Sequence, residues 1–176
     1  MSVLRPAKAA ATTVRSVATV LITGMSGTGK STVLGELARR GHRVVDTDYD
    51  DWCEEMSRRD DSGSERLWNE ERMTALLAEH AGGTLFVGGS VANQGRFYDR
   101  FDAVVLLSAP LEVLLERVRT REANDFGKSA AERERIIGDH AAVEPLLRTG
   151  ATAELDTRRS LAELVGELES IAERAL

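Results

Sequence analysis

The chain has 176 residues, of which 42% are hydrophobic and 30% are charged, and these proportions predict a globular protein with one domain. Its 23 Lys and Arg residues against 29 Asp and Glu residues give a net charge of −6. This charge argues against nucleic acid or a membrane as a partner, because both attract a basic excess. The single cysteine, Cys53, excludes an intrachain disulfide and favours a cytoplasmic location.

Along the chain, residues 1–16 are rich in Ala and Thr, and we expect them to form a disordered tail ahead of one domain over residues 17–176. Short apolar runs then alternate with helical patterns. Five runs predict strands, over residues 17–23, 42–46, 84–87, 103–107 and 151–156. Helices are predicted over 31–40, from Ser64 to about His80, after Pro110, up to about Glu144 near Pro145, and from a Ser160/Glu163 capping box onward.

Five strands alternating with helices predict an α/β fold with a parallel, doubly wound sheet. Ligands of such sheets bind at the carboxyl ends of the strands. Three unusual segments directly follow predicted strands, at residues 24–31, 46–51 and 88–90. Their coincidence predicts one shared site.

The first segment reads GMSGTGKS and fills every fixed position of the pattern G-x-x-x-x-G-K-[ST]. Glycines allow a tight turn whose N–H groups form an anion nest, and the following helix adds its positive N-terminal end. A lysine in this place reaches terminal phosphates, and a hydroxyl ligates Mg²⁺. Dinucleotide binding is disfavoured, because the order G-x-G-x-x-G is absent. The predicted nucleotide-binding residues are Gly24, Met25, Ser26, Gly27, Thr28, Gly29, Lys30, Ser31 and Thr32.

The second segment is acidic, and it places Asp46 and Asp48 on one face at the end of a strand. Two carboxylates this close favour a cation between them. A carboxylate here could also orient a hydroxyl that attacks a phosphate. The alternative is a solvated acidic turn, and Asp50 and Asp51 are expected to cap a following helix.

The elements GMSGTGKS, VVDTD and FVGGS occur in the order and spacing of the small P-loop kinases. Over residues 17–174 the chain resembles shikimate kinase, gluconate kinase and adenylate kinase. The resemblance implies the P-loop NTPase fold with a five-stranded parallel sheet flanked by helices, an acceptor-binding helical region over about 48–80, and a mobile lid over about 120–131. It also implies ATP and Mg²⁺, with Ser31 and Asp46 at the metal and Asp48 at the acceptor hydroxyl.

Two departures from the shikimate kinase pattern leave the acceptor open. Asn69 follows Trp68 where that family has a substrate-binding arginine, and Ser90 is third in its glycine triplet. Arg66 and Arg72 are present nearby but neither matches the position of the arginine. The acceptor-side candidates are Asp48, Trp52, Arg72, Gly88, Gly89 and Ser90.

Arginines complete the predicted site, because a planar guanidinium spans phosphate oxygens and stays charged. The resemblance to adenylate and shikimate kinases implies that Arg117 and Arg121 contact phosphate from the lid region and that Arg158 or Arg159 borders the base. Lys30, Asp48 and Arg121 are the predicted catalytic residues. Trp52 and Trp68 either cover the acceptor or pack in the core.

The sequence therefore predicts a cytoplasmic, ATP-dependent kinase that phosphorylates a hydroxyl of a small-molecule acceptor, as a monomer or homodimer. A first alternative is a nucleoside monophosphate kinase, for which Arg58, Arg59, Arg66 and Arg72 could hold the acceptor phosphate. A second alternative is an ATP-binding switch with slow hydrolysis.

Overall fold

The structure is a computed structural model that describes residues 17–57, 64–122 and 126–176. Its strands are β1 (Val17–Thr23), β2 (Arg43–Asp46), β3 (Cys53–Ser57), β4 (Ser64–Trp68), β5 (Gly83–Gly88), β6 (Ala103–Ser108) and β7 (Ala153–Asp156). Its helices are α1 (Lys30–Arg39), α2 (Glu70–Glu79), α3 (Leu111–Thr120), α4 (Ala130–Ala142), α5 (Glu144–Gly150) and α6 (Leu161–Ala175), and a 3-10 helix covers Gln94–Arg100. The tail over residues 1–16 lies outside the described residues.

A five-stranded parallel sheet in the order β2–β5–β1–β6–β7 forms the centre of the fold. Its strands are the five that the sequence predicts, and helices flank the sheet, so the predicted fold class is confirmed. The register places Ile22 and Asp46 beside Gly88 on the two sides of β5. The three segments that follow β1, β2 and β5 therefore emerge at one edge, as expected for a shared site.

Alternate residues of β1 supply two hydrophobic cores, because side chains of a strand point to opposite faces. Val20 and Ile22 pack with buried residues of α1 and α6 on one face. Leu21 packs with Trp68 and Met73 on the other face. No helix in the described ranges is long and apolar enough to cross a membrane.

The predicted helix from Ser64 is wrong in its first part. Residues 64–68 instead form strand β4, which pairs antiparallel with β3 and places Glu55 opposite Arg66. Helix α2 begins after Asn69, whose side chain accepts a hydrogen bond from the Arg72 amide as an N-cap. The region over 48–80 is therefore a two-stranded ribbon followed by a helix.

The expected helix caps at Asp50 and Asp51 are also absent from this region. Both residues have positive φ, 59° and 55°, in the turn that leads to β3. Aspartate is one of the few residue types that tolerate this conformation.

Farther along, the predicted helix up to about Glu144 is present, and a short helix that was not predicted follows it. Helix α4 ends at Ala142, and α5 begins at Glu144 with Pro145 in its first turn, because proline needs no N–H bond there. In α4, Ile136 is buried and Ile137 is exposed. The capping box at Ser160 and Glu163 is confirmed.

Candidate functional site

The segment between β1 and α1, residues 24–31, forms a tight glycine loop. Gly27 and Gly29 have φ values of 87° and 88°, and Gly29 is the N-cap of α1. A Cβ on Gly27 would lie 2.9 Å from the Leu114 carbonyl oxygen of α3, so this loop packs directly on α3. Thr28 closes the turn by donating its hydroxyl to the Met25 carbonyl at 2.8 Å. Backbone and helix end together form a concavity suited to an anion.

Lys30 lies at the base of the glycine loop. Its Nζ donates to the carbonyl oxygens of Gly24, at 2.8 Å, and Met25, at 3.3 Å. Burial lowers the pKa of Lys30, an effect that nearby Asp48 and Asp46 oppose and nearby Arg121 reinforces. The ammonium group is held beside the place where an anion would sit.

The next residue, Ser31, meets the end of β2. Its hydroxyl donates to Oδ2 of Asp46 at 2.6 Å, and the Asp48 amide donates to Oδ1 of the same carboxylate at 3.1 Å. A hydroxyl and a carboxylate in contact are hard oxygen ligands, and this is the donor set that Mg²⁺ prefers. The residues present therefore fit a magnesium ion.

Thr47, between the two aspartates, is fully buried and fixes the acidic turn. Its hydroxyl donates to the Gly88 carbonyl at 2.9 Å and accepts from Nε1 of Trp68 at 2.9 Å. Cys53 donates its thiol to the Thr47 carbonyl at 3.2 Å, and burial raises the pKa of that thiol. These contacts turn the flanking Asp46 and Asp48 away from the core.

A cleft of about 1020 Å³ opens above these segments. All nine predicted nucleotide-binding residues, 24–32, line it. The cleft is also lined by six of the other residues that the sequence singled out, namely Asp48, Arg66, Ser90, Arg117, Arg121 and Arg159. Its volume is sufficient for a nucleotide together with a small molecule.

The β3–β4 ribbon forms one wall of the cleft and contributes residues that sequence reasoning missed. Glu55 and Ser64 line the cleft beside Arg66, and Arg66 donates from Nη1 to Oδ1 of Asp48 at 3.2 Å. Tyr49, 58% exposed, lies on the same side. Alternate residues of a strand share a face, so a strand over residues 64–68 would have placed Ser64 and Arg66 on the same side. The expectation of a helix over these residues concealed this pattern.

Four acceptor-side candidates lie outside the lining of the described cleft. Gly88 and Gly89 are packed, and a Cβ would collide with Leu34 at the first and Thr47 at the second. Trp52 is covered by the Arg72 guanidinium, whose carbon is 4.0 Å from the ring centroid. Arg72 also donates to the Asp50 carbonyl. Trp68, 2% exposed, is a core residue.

The three predicted arginines have different surroundings. Arg121 donates from Nη2 to the Phe126 carbonyl at 2.8 Å and to the Ser26 hydroxyl at 3.4 Å, which places its guanidinium over the glycine loop. Arg117 donates to Thr157. Arg158 lies outside the described cleft and is paired with Asp156, whose pKa it lowers to about 2.

Helix α4 supplies three further lining residues, Arg135, Ile136 and Asp139. The Nε of Arg135 lies 3.8 Å from the Asp139 carboxylate. The lid expected over about 120–131 is described only in part, because residues 123–125 lie outside the described ranges. Arg58 and Arg59 also lie outside them.

Comparison with protein families identifies the domain. The profile of one family, described as AAA domain, matches residues 20–138. The chain belongs to the AAA domain family. The match extends from β1 into α4, so it includes the glycine loop, the acidic turn and Arg121. A comparison with curated protein sequences gave no significant match.

Several solved kinases have a similar fold. Shikimate kinase from Acinetobacter baumannii in complex with shikimate has a TM-score of 0.61 and 19% identity, over 89% of this chain and 93% of that one. Shikimate kinase from Bacteroides thetaiotaomicron gives 0.59 and 20%, over 89% and 98%. A gluconokinase from Sinorhizobium meliloti 1021 gives 0.54 and 19%, over 92% and 94%. This AAA domain therefore has the fold of small P-loop metabolite kinases.

Proposed function

We propose that this protein is an ATP-dependent kinase that transfers the γ-phosphoryl group to a hydroxyl of a small-molecule acceptor. The observation that carries the proposal is the contact of Ser31 with Asp46, beside Asp48, at the open side of the glycine loop. A nucleotide-binding loop alone is common to many activities. Carboxylates beside it, one to help hold Mg²⁺ and one to orient the attacking hydroxyl, are parts that recur in enzymes that transfer a phosphoryl group to a hydroxyl.

In this proposal the glycine loop holds the triphosphate of ATP. Its backbone and the α1 N-terminus supply partial positive charge, and Lys30 and Arg121 supply full charges from two sides of the loop. Lys30 exchanges its carbonyl partners for phosphate oxygens, which are stronger acceptors. These charges stabilise the negative charge on the transferred group.

Ser31 and Asp46 would hold Mg²⁺ at the phosphates. When bound, the ion neutralises phosphate charge and orients the triphosphate. The hydrogen bond from Ser31 already holds the Asp46 carboxylate toward the loop, and the Asp48 amide holds its second oxygen. This preorganisation reduces the rearrangement that binding requires.

Asp48 would receive the acceptor hydroxyl. Its carboxylate lines the cleft, as Ser90 does, and accepts a hydrogen bond from the guanidinium of Arg66. An aspartate so placed can orient a hydroxyl and accept its proton as the oxygen attacks phosphorus. The ribbon residues Glu55 and Ser64 then form the acceptor wall. The carboxylates of Asp48 and Glu55 would repel an acceptor phosphate, which favours a hydroxyl acceptor over a nucleoside monophosphate.

The decisive experiment is transfer of labelled phosphate from [γ-³²P]ATP to a panel of sugars, polyols, hydroxy acids, nucleosides and nucleoside monophosphates. We expect label in a hydroxyl acceptor with the wild-type protein. Asp48→Asn should reduce the turnover by about 10²- to 10⁴-fold, the usual contribution of general base catalysis, while Mg-ATP affinity stays within about threefold. Lys30→Ala should lose affinity as well as turnover.

Other outcomes distinguish the alternatives. Label in nucleoside monophosphates alone would support the adenylate-like kinase. Phosphate release that no panel member accelerates, with full sensitivity to Lys30→Ala, would support a nucleotide-hydrolysing switch. No binding of ATP by the folded wild-type protein would refute all three.

A further inference from the structure

Arg66 lies in the middle of strand β4, and its guanidinium contacts the Asp48 carboxylate. Nη1 of Arg66 donates to Oδ1 of Asp48 at 3.2 Å. The two side chains, 44% and 36% exposed, both line the cleft. In the proposed reaction Asp48 must receive a hydroxyl of the acceptor. The guanidinium therefore occupies one of the two oxygens that this hydroxyl would use.

The backbone of Arg66 is fixed, whereas its side chain is long and partly exposed. Its carbonyl accepts a hydrogen bond from the Ala92 amide at 3.2 Å, in the loop that follows β5. Two residues farther along, the backbone of buried Trp68 exchanges hydrogen bonds of 2.8 and 3.0 Å with the Asn93 side chain. Strand β4 can thus stay attached to the core while the guanidinium changes its partner.

A second carboxylate is available to Arg66 on the same ribbon. Glu55 is the residue directly opposite Arg66 in β3, and side chains in this relation lie within reach of each other. Glu55 is exposed and also lines the cleft. An exposed ion pair shifts an equilibrium by only about two- to fivefold. The guanidinium can therefore exchange Asp48 for Glu55 at little cost in free energy.

Water is the competitor of the acceptor in a cleft of this kind. A water molecule at Asp48 could attack the γ-phosphorus of ATP. Its oxygen would form the new bond to phosphorus, its proton would pass to Asp48, and the bond to the ADP oxygen would break, which yields ADP and phosphate. Water makes no contact with the ribbon wall, so it has little binding energy with which to displace a guanidinium. A larger acceptor makes such contacts and gains that energy.

We infer that Arg66 is a positioning residue that holds Asp48 until an acceptor displaces it, and that it thereby suppresses hydrolysis of ATP. The inference rests on the proposed kinase function. When the acceptor hydroxyl binds at Asp48, the guanidinium moves to Glu55. Arg66 therefore determines the choice between water and an acceptor hydroxyl.

The test measures the release of labelled phosphate from [γ-³²P]ATP with Mg²⁺ and without any acceptor, on the full chain. Arg66→Met removes the donors and keeps an unbranched side chain, and Arg66→Lys keeps a positive charge. Arg96→Gln is the matched control, because Arg96 forms an exposed ion pair with Glu70 outside the lining of the described cleft. The melting temperature of each variant establishes that it is folded.

We expect Arg66→Met to raise kcat for hydrolysis by about two- to fivefold, the strength of the pair that it removes. KM for Mg-ATP should not change. A merely structural role would lower kcat instead. Arg66→Lys should show a smaller rise, and Arg96→Gln none. In an Asp48→Asn background, Arg66→Met should change hydrolysis by less than about 1.5-fold, because the carboxylate that Arg66 restrains is absent.

Hydrolysis that stays constant or falls in folded Arg66→Met would overturn the inference. A rise that persists in the Asp48→Asn background would overturn it too, since the effect would not act through Asp48. A folded wild-type protein that does not bind Mg-ATP in calorimetry would instead refute the proposed kinase function itself.

Discussion

The hydroxyl of Thr47 is the polar contact that joins the acidic turn to the core, and Thr47→Val removes it while nearly conserving volume. Two hydrogen bonds are lost, to the Gly88 carbonyl and from the indole N–H of Trp68, each 2.9 Å long. The Gly88 oxygen keeps a second donor, the Thr47 amide at 2.8 Å. The indole N–H of Trp68, whose residue is only 2% exposed, loses the Thr47 hydroxyl as its acceptor.

The expected cost follows from this asymmetry. The bond to Gly88 contributes about 1 kcal/mol, and a buried donor without its acceptor costs about 1–3 kcal/mol. The free energy of unfolding should therefore fall by about 2–4 kcal/mol, which lowers Tm by roughly 4–16 °C in a chain of this size. Turnover should also fall, because Asp46 and Asp48 flank residue 47, which no longer has the hydrogen bonds of its hydroxyl to the core.

Urea denaturation measures the loss, with Thr47→Ser as the matched control. Serine keeps the hydroxyl and loses one buried methyl, at a cost of about 1 kcal/mol. In a Trp68→Phe background the indole donor is absent, so Thr47→Val should then cost at least 1 kcal/mol less. An equal cost in both backgrounds would refute the assignment of the penalty to the indole.

Three further outcomes are expected. Gly27→Ala should weaken Mg-ATP binding by about tenfold or more in calorimetry, because its φ of 87° disfavours a side chain and a Cβ would meet a carbonyl of α3 at 2.9 Å. Because burial lowers the pKa of Lys30 from its ordinary value, Mg-ATP affinity should decline as pH rises, and the decline should begin below the usual lysine range; the residual affinity of a Lys30→Met variant should lack that decline. Arg148→Met should lower the free energy of unfolding by about 1–3 kcal/mol, because Arg148 binds the buried carboxylate of Glu144 at 2.7 Å and also Glu154 at 2.9 Å. Since Arg148 lowers the pKa of Glu154, the Glu154 part of this deficit should be present above the ordinary pKa of 4.5 and shrink as pH falls below it.

The sheet and the convergence of its loops were predictable because β-branched runs and a glycine motif are local signals. The run over Val17–Thr23 is rich in β-branched residues and a glycine follows it, so the strand was predictable from the local sequence, and the motif in residues 24–31 identified the loop after it. The acidic turn was likewise visible, because four aspartates lie in six residues after a strand.

The ribbon was not predictable from local preference. The segments CEEMS and SERLW are rich in helix formers, yet they form strands because they pair with each other and bury Trp68. Such tertiary pairing overrides propensity. The contact of Arg66 with Asp48 depends on that pairing, and the bond of Arg117 to Thr157 joins residues 40 positions apart.

Both outer strands of the sheet, β2 and β7, have only four residues. A short edge strand that carries charges such as Arg43 and Glu154 pairs poorly with strands of other molecules, and this disfavours edge-to-edge aggregation. In β2 the same brevity has a second effect, because Asp46 is the last residue of a strand with one neighbour. Its carboxylate can adjust to a ligand without disturbing the interior of the sheet.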